Sequence, residues 1–137
     1  MTDNGESNDF YGHLRERADI GWERVMQSPL EVVDPVPGSY PDLSHKLLFG
    51  DIWQRPHLTL RERRLIVLTL LAVYGRDEPM IYHLRGALRS GDLDVDDLDE
   101  LVVQLAFYGG WPMASMAFLA LRRAAGEFSS DDQRDAD

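Results

Sequence analysis

Residues 59–73, TLRERRLIVLTLLAV, decide the fold. Thr59 and Glu62 have the form of a capping box, in which a hydroxyl and a carboxylate satisfy backbone N–H groups that a helix start leaves unpaired. From Leu65 to Val73 the segment is apolar on every side apart from Thr69, which predicts a central helix covered by neighbours rather than a surface one. The β-branched residues Ile66, Val67 and Val73 leave a strand open as the alternative for this segment.

Towards the C-terminus, Asp77 is placed to cap a fourth helix with Pro79 in its first turn, and Gly91 to end it in a left-handed conformation after Ser90. A fifth helix starts near Asp94, where Asp96, Asp97, Asp99 and Glu100 suit the positive end of the helix dipole, and Leu98, Leu101, Val102 and Leu105 form its apolar stripe. Gly109-Gly110 breaks that helix, and Trp111-Pro112 opens a sixth that runs to Gly126.

Towards the N-terminus, Leu14, Ala18, Trp22, Val25 and Met26 recur at helical spacing and predict a first helix over about residues 10–27, stopped by Ser28-Pro29. Residues 29–41 hold Pro29, Pro35, Pro37, Gly38 and Pro41 and read as an irregular connection, followed by a short helix over 41–49 and a turn, GDIWQRPHL. The class is therefore all-α with about six helices. Residues 10–126 are taken as one domain, flanked by polar segments 1–9 and 127–137 that are expected to be disordered tails.

Composition narrows the function. Twenty-four acidic against fourteen basic residues give a net charge of −10, so the surface repels a phosphate backbone and nucleic acid is not an expected partner. No apolar run reaches the roughly 20 residues of a membrane span, and MTDNGESND lacks the basic and apolar regions of a signal peptide, so no membrane partner is expected and a cytoplasmic location is. With no cysteine, disulfides, thiolate metal sites, iron–sulfur clusters and cysteine nucleophiles are excluded. His13, His45, His57 and His83 are scattered and form neither an H-x₃-H nor an HExxH pattern, so no metal site is expected.

Four segments occur in a specific order: the GDIWQRP turn, LTLRERRLIVLTLLAVYGR, HLRGALRSG, and LVVQLAFYGGWPMA. Together they resemble the γ-carboxymuconolactone decarboxylase family over roughly residues 50–115. The resemblance implies an AhpD-like helical fold assembled as a homo-oligomer, a trimer or hexamer, and a cofactor-free carboxy-lyase acting on a small anionic lactone such as γ-carboxymuconolactone, in aromatic catabolism. Two alternatives stand beside it: an enzyme recruited to another small-molecule pathway, and a non-catalytic ligand-binding oligomer. Thiol hydroperoxidases of the same superfamily carry a glutamate, cysteines 12 and 15 residues later, and a histidine four further on. With that histidine set on His83, this chain has Arg64, Arg76 and Pro79 at the other three positions, which argues against peroxidase activity.

Loss of CO₂ leaves an electron pair delocalised towards a carbonyl oxygen, so the chemistry needs charge stabilisation there and a proton donor at carbon. The resemblance assigns the donor to His83, against the alternative of a histidine that bridges helices. Arg64 is the second catalytic candidate, able to clamp a carboxylate with its planar fork of donors or to form a surface ion pair. Candidate substrate-binding residues are Trp53, Arg55 and His57 in the IWxRP turn, which can also be a packed turn, and Arg85, which two residues on from His83 cannot share its helix face. Gln104 and Tyr108, four apart on helix five, are placed to line a cavity rim, with a core tyrosine as the alternative for Tyr108. Trp111, after two glycines at a helix start, is the last candidate, as an anion-site or a packing residue.

Overall fold

A computed structural model describes residues 5–135 of the chain. Of the expected disordered tails, 1–9 and 127–137, residues 1–4 and 136–137 lie outside the described residues, while 5–9 and 127–135 belong to helices. Six α-helices run in order, α1 (Gly5–Met26), α2 (Tyr40–Leu43), α3 (Leu60–Val73), α4 (Asp77–Ser90), α5 (Val95–Gly109) and α6 (Trp111–Asp135), with no strand among the described residues. No helix among them is long and apolar enough to cross a membrane. Packing divides the chain into two compact units, Met1–Leu58 and Thr59–Asp137.

In the first unit α2 continues directly into a π-helical turn, Ser44–Phe49, and a short 3₁₀ turn follows at Ile52–Gln54. The π turn packs against α1. Leu14, Ala18 and Val25 of α1 are buried, as are His45, Lys46 and Phe49 of the turn. Gly21 and Gly50 mark the closest approach: a Cβ on Gly21 would lie 2.0 Å from the Phe49 carbonyl oxygen, and one on Gly50 would lie 2.8 Å from the Leu14 carbonyl oxygen. Any larger residue at either place pushes α1 off the turn.

In the second unit α6 packs against α4 and α5, and α3 against α4. The core joins Leu68 and Ala72 of α3, Met80, Ile81 and Leu84 of α4, Leu98 and Leu105 of α5, and Ala117 and Leu121 of α6. The capping box at Thr59 is present: the Glu62 N–H donates to Thr59 Oγ1 at 3.1 Å and the Thr59 N–H donates to Glu62 Oε2 at 2.7 Å. Asp94 and Asp97 form a second capping box at the start of α5. We expect Thr59→Ala to destabilise the fold by about 1 kcal/mol, read as a lower urea midpoint with unchanged slope.

Several boundaries and one burial differ from the sequence expectation. Arg76, not Asp77, is the N-cap of α4; Asp77 is already helical and accepts from the Glu78 N–H at 3.0 Å. Helix α1 begins before Phe10 and α6 runs past Gly126. A glycine inside a helix costs only about 1 kcal/mol, which the following run without proline does not turn into a stop. Helix α3 is not covered on all sides. Ile66, Leu70 and Val73 are 49%, 48% and 56% exposed, because the other helices of its unit cover only the opposite face.

Candidate active site

Arg64 lies in the covered row of α3, at the position one turn before Leu68 and two before Ala72, and its side chain is wholly out of solvent. A buried guanidinium requires a counter-charge and filled hydrogen bonds. The counter-charge and two of the hydrogen bonds come from the end of α4 and the turn after it. Arg64 Nε donates to Asp92 Oδ2 at 3.0 Å and Nη2 to Ser90 Oγ at 3.2 Å, while the Ser90 hydroxyl donates to Asp92 Oδ2 at 2.6 Å. Gly91, with φ of 76°, makes the turn possible: its left-handed backbone brings residues 90 and 92 back onto the same partner. The surface ion pair open to Arg64 in the sequence is thus replaced by a buried network.

His83 sits in the middle of α4, between the buried residues Met80 and Ala87, with its ring mostly out of solvent. Burial, and then the nearby Arg64 cation, hold its pKa down to about 4. Arg64 itself is pushed below its ordinary value by burial, opposed by Asp92. His83 and Arg64 are the two sequence candidates that the fold brings together, and at neutral pH the resting pair is a neutral imidazole beside a guanidinium. In the unfolded chain the histidine titrates near 6.5, so below that pH the unfolded state binds the proton first. Stability is therefore fully present above about pH 6.5 and is lost as pH falls towards 4. We expect a drop of about 2 kcal/mol between pH 8 and pH 5, largely abolished in His83→Gln, by urea unfolding at both pH values.

The other candidates are placed elsewhere. Arg85 lies half-buried with its guanidinium 5.5 Å from the centre of the Tyr82 ring. Gln104 lines a shallow groove with Arg61, Leu65, Asp97, Glu100 and Leu101. Tyr108 is 88% exposed, which rules out the alternative of a core tyrosine. Trp111 is likewise exposed and forms one wall of an apolar groove of about 370 Å³ between α5 and α6, where it meets Phe107 edge to face. Neither groove is lined by His83. In the first unit Trp53 is buried, the outcome a packed turn predicts, and His57 is exposed. Arg55 is held by Asp51 through Nε at 3.2 Å and Nη2 at 2.7 Å, so its charge is already engaged.

Ser90 and Asp92 were not candidates from sequence, although a glycine stop flanked by serine and aspartate directly after the HLRGALR helix was a usable signal. Of the remaining peroxidase positions, Arg76 and Pro79 are both exposed at the start of α4. With no cysteine in the chain, no thiol relay can be built on this frame.

The sequence is similar to those of two curated relatives and matches a family model. Over 104 residues the chain is 26% identical to a 4-carboxymuconolactone decarboxylase of Acinetobacter baylyi, covering 76% of this chain and 77% of that one. Over 110 residues it is 24% identical to the nitrosuccinic acid decarboxylase npaB of Metarhizium robertsii, covering 80% and 76%. Residues 40–123, more than half of the chain, match the model of the carboxymuconolactone decarboxylase family, and the chain belongs to that family.

Proposed function

We propose that the protein is a cofactor-free carboxy-lyase that removes CO₂ from a small anionic acid, γ-carboxymuconolactone being the leading substrate. The observation that carries this reading is the interior pairing of a neutral His83 with the Arg64 cation on a decarboxylase-family frame. An anionic substrate beside this pair offsets the Arg64 charge and draws a proton onto His83. The bond from carbon to carboxylate then breaks, CO₂ leaves, and the electron pair passes to the substrate's carbonyl oxygen, where the positive field of Arg64 stabilises it. The His83 imidazolium returns its proton to carbon and is left neutral. The substrate carbonyl is the electron sink, so the chemistry calls for no metal or organic cofactor.

A second substrate is favoured by one observation. The relative that acts on nitrosuccinic acid matches over a similar share of the chain at nearly the same identity as the lactone enzyme. Both names denote loss of CO₂ from small acids. Purified protein should be incubated with γ-carboxymuconolactone and with nitrosuccinate, following absorbance and released CO₂. Turnover of either acid supports the carboxy-lyase and identifies its substrate, whereas no turnover of any β-activated acid favours a ligand-binding oligomer.

The same proposal includes a homo-oligomer, a trimer or hexamer, in the cytoplasm. It is supported by the apolar side chains left exposed: Ile66, Leu70 and Val73 on α3, and Val103, Phe107, Trp111 and Leu119 on α5 and α6. Gel filtration at micromolar concentration tests it, and a monomer there overturns it. In such an assembly Arg85, Gln104, Tyr108 and Trp111 can contribute to the substrate site of a neighbouring copy.

A further inference from the structure

An arginine and a carboxylate pair most completely when both acid oxygens meet one edge of the guanidinium. The chain makes such pairs at its surface. Arg55 takes Asp51 with Nε on one oxygen and Nη2 on the other, and Arg61 takes both oxygens of Asp97. Arg64 is wholly buried and has the most to gain from a complete fork, yet its edge is divided. Nε donates to Asp92 Oδ2 at 3.0 Å, while Nη2 donates to the Ser90 hydroxyl at 3.2 Å. A neutral oxygen stands where the second carboxylate oxygen of a fork would stand.

The placement of Ser90 explains the division. It closes α4 two helical turns after His83, and so lies on the same face of that helix. Its hydroxyl has one proton and two acceptors in reach, the Ala87 carbonyl at 3.2 Å and Asp92 Oδ2 at 2.6 Å. The shorter, charge-assisted bond goes to the carboxylate, which leaves the hydroxyl oxygen to accept from Nη2. One side chain thus receives from the cation and donates to the anion, and keeps Asp92 on Nε. A carboxylate engaged at one point, and already hydrogen-bonded by serine, offsets the guanidinium charge less than a complete fork does. Among the described residues, Arg64 is the charged group that acts on the His83 ring. Whatever charge Asp92 leaves uncompensated on Arg64 is therefore felt at His83.

We propose that Ser90 is a positioning residue for the decarboxylation: its hydroxyl holds the Nη2 side of Arg64, keeps Asp92 from closing a complete fork there, and so preserves the positive field at His83 and at the substrate's developing oxyanion. Ser90 acts through Arg64. Its kinetic consequence rests on the carboxy-lyase reading, and its electrostatic one does not. Both are measured on the full chain with Ser90→Ala and Ser90→Thr. In the alanine variant Asp92, a quarter exposed and able to turn, is expected to place its second oxygen on Nη2. The His83 ring, followed by its NMR chemical shifts and identified by their loss in His83→Gln, should then titrate about half a pH unit higher than in wild type. On the low-pH plateau, where protonation of His83 does not limit, kcat should fall about tenfold with KM changed less than about threefold. Threonine keeps the hydroxyl and should restore both readouts. A purely structural serine would lower the urea midpoint of Ser90→Ala and move neither. Should alanine not fold, Ser90→Cys puts a poor hydrogen-bonding atom in the same space and is read by the same titration. A His83 titration that superimposes on wild type, one shifted downwards, or a shift that threonine fails to restore each overturns the proposal, whether or not substrate is turned over. If wild type decarboxylates nothing, the carboxy-lyase reading falls, and the titration still decides whether Ser90 sets the field at His83.

Discussion

Substituting alanine for His83 is expected to lower kcat/KM for decarboxylation by roughly a hundred- to ten-thousandfold, the range a positioned proton donor supplies. The pH profile is the more specific readout. With a pKa of about 4 in the free site, only about one His83 in a thousand is protonated at pH 7. If the reaction requires the imidazolium, its fraction falls tenfold per pH unit above 4. Log kcat/KM for wild type should therefore decline with a slope near −1 between pH 5 and pH 8, while the residual rate of His83→Ala should be flat. kcat should hold its plateau to higher pH, because bound anion raises the proton affinity of the ring. A wild-type kcat/KM that is level across this range, or an alanine variant of full activity, removes His83 from the role of donor.

The largest structural effect is expected at Asp92. Its carboxylate is a quarter exposed, but the Arg64 guanidinium it neutralises is wholly buried. Removing one partner of such a pair leaves an uncompensated interior charge, which costs about 3 to 5 kcal/mol. Asp92→Ala should thus unfold at a urea midpoint far below wild type, and a 137-residue chain of ordinary stability has little left after that loss. The double variant Arg64→Met with Asp92→Ala separates charge from packing. It should recover most of the stability, since no buried charge remains, and yet have no activity, since the cation beside His83 is gone. A double variant as unstable as Asp92→Ala would mean that packing, rather than the unpaired charge, carries the effect.

The parts of this architecture that sequence made legible are local ones. The capping box at Thr59 and Glu62, the left-handed stop at Gly91 and the break at Gly109-Gly110 each depend on residues within four positions of one another, and all are found where spacing placed them. The partner of Arg64 was not legible, because Asp92 lies 28 residues away and is brought to it by the packing of α4 on α3. The same limit hid the pairing of Asp19 with His45, 26 residues apart. For α3, composition alone could not say how many neighbours it has. Apolar residues all round a helix signal a need for cover, but not which molecule provides it. In the site, the resemblance pointed to His83, and guanidinium chemistry near a helix start pointed to Arg64. Their electrostatic state, a neutral ring beside a buried cation, depends on burial that no motif encodes.

Arg61 and Arg64 stand one helical turn apart on α3, and both grip the segment that follows α4. Arg61 Nη1 donates to the Asp92 carbonyl at 2.9 Å and the guanidinium takes both Asp97 oxygens at 2.9 and 3.0 Å, while Arg64 takes the Asp92 carboxylate. Asp97 at the same time caps α5. A loop stapled at this many points does not swing as a lid. The amides of residues 90–97 should therefore exchange with solvent only when the whole second unit opens.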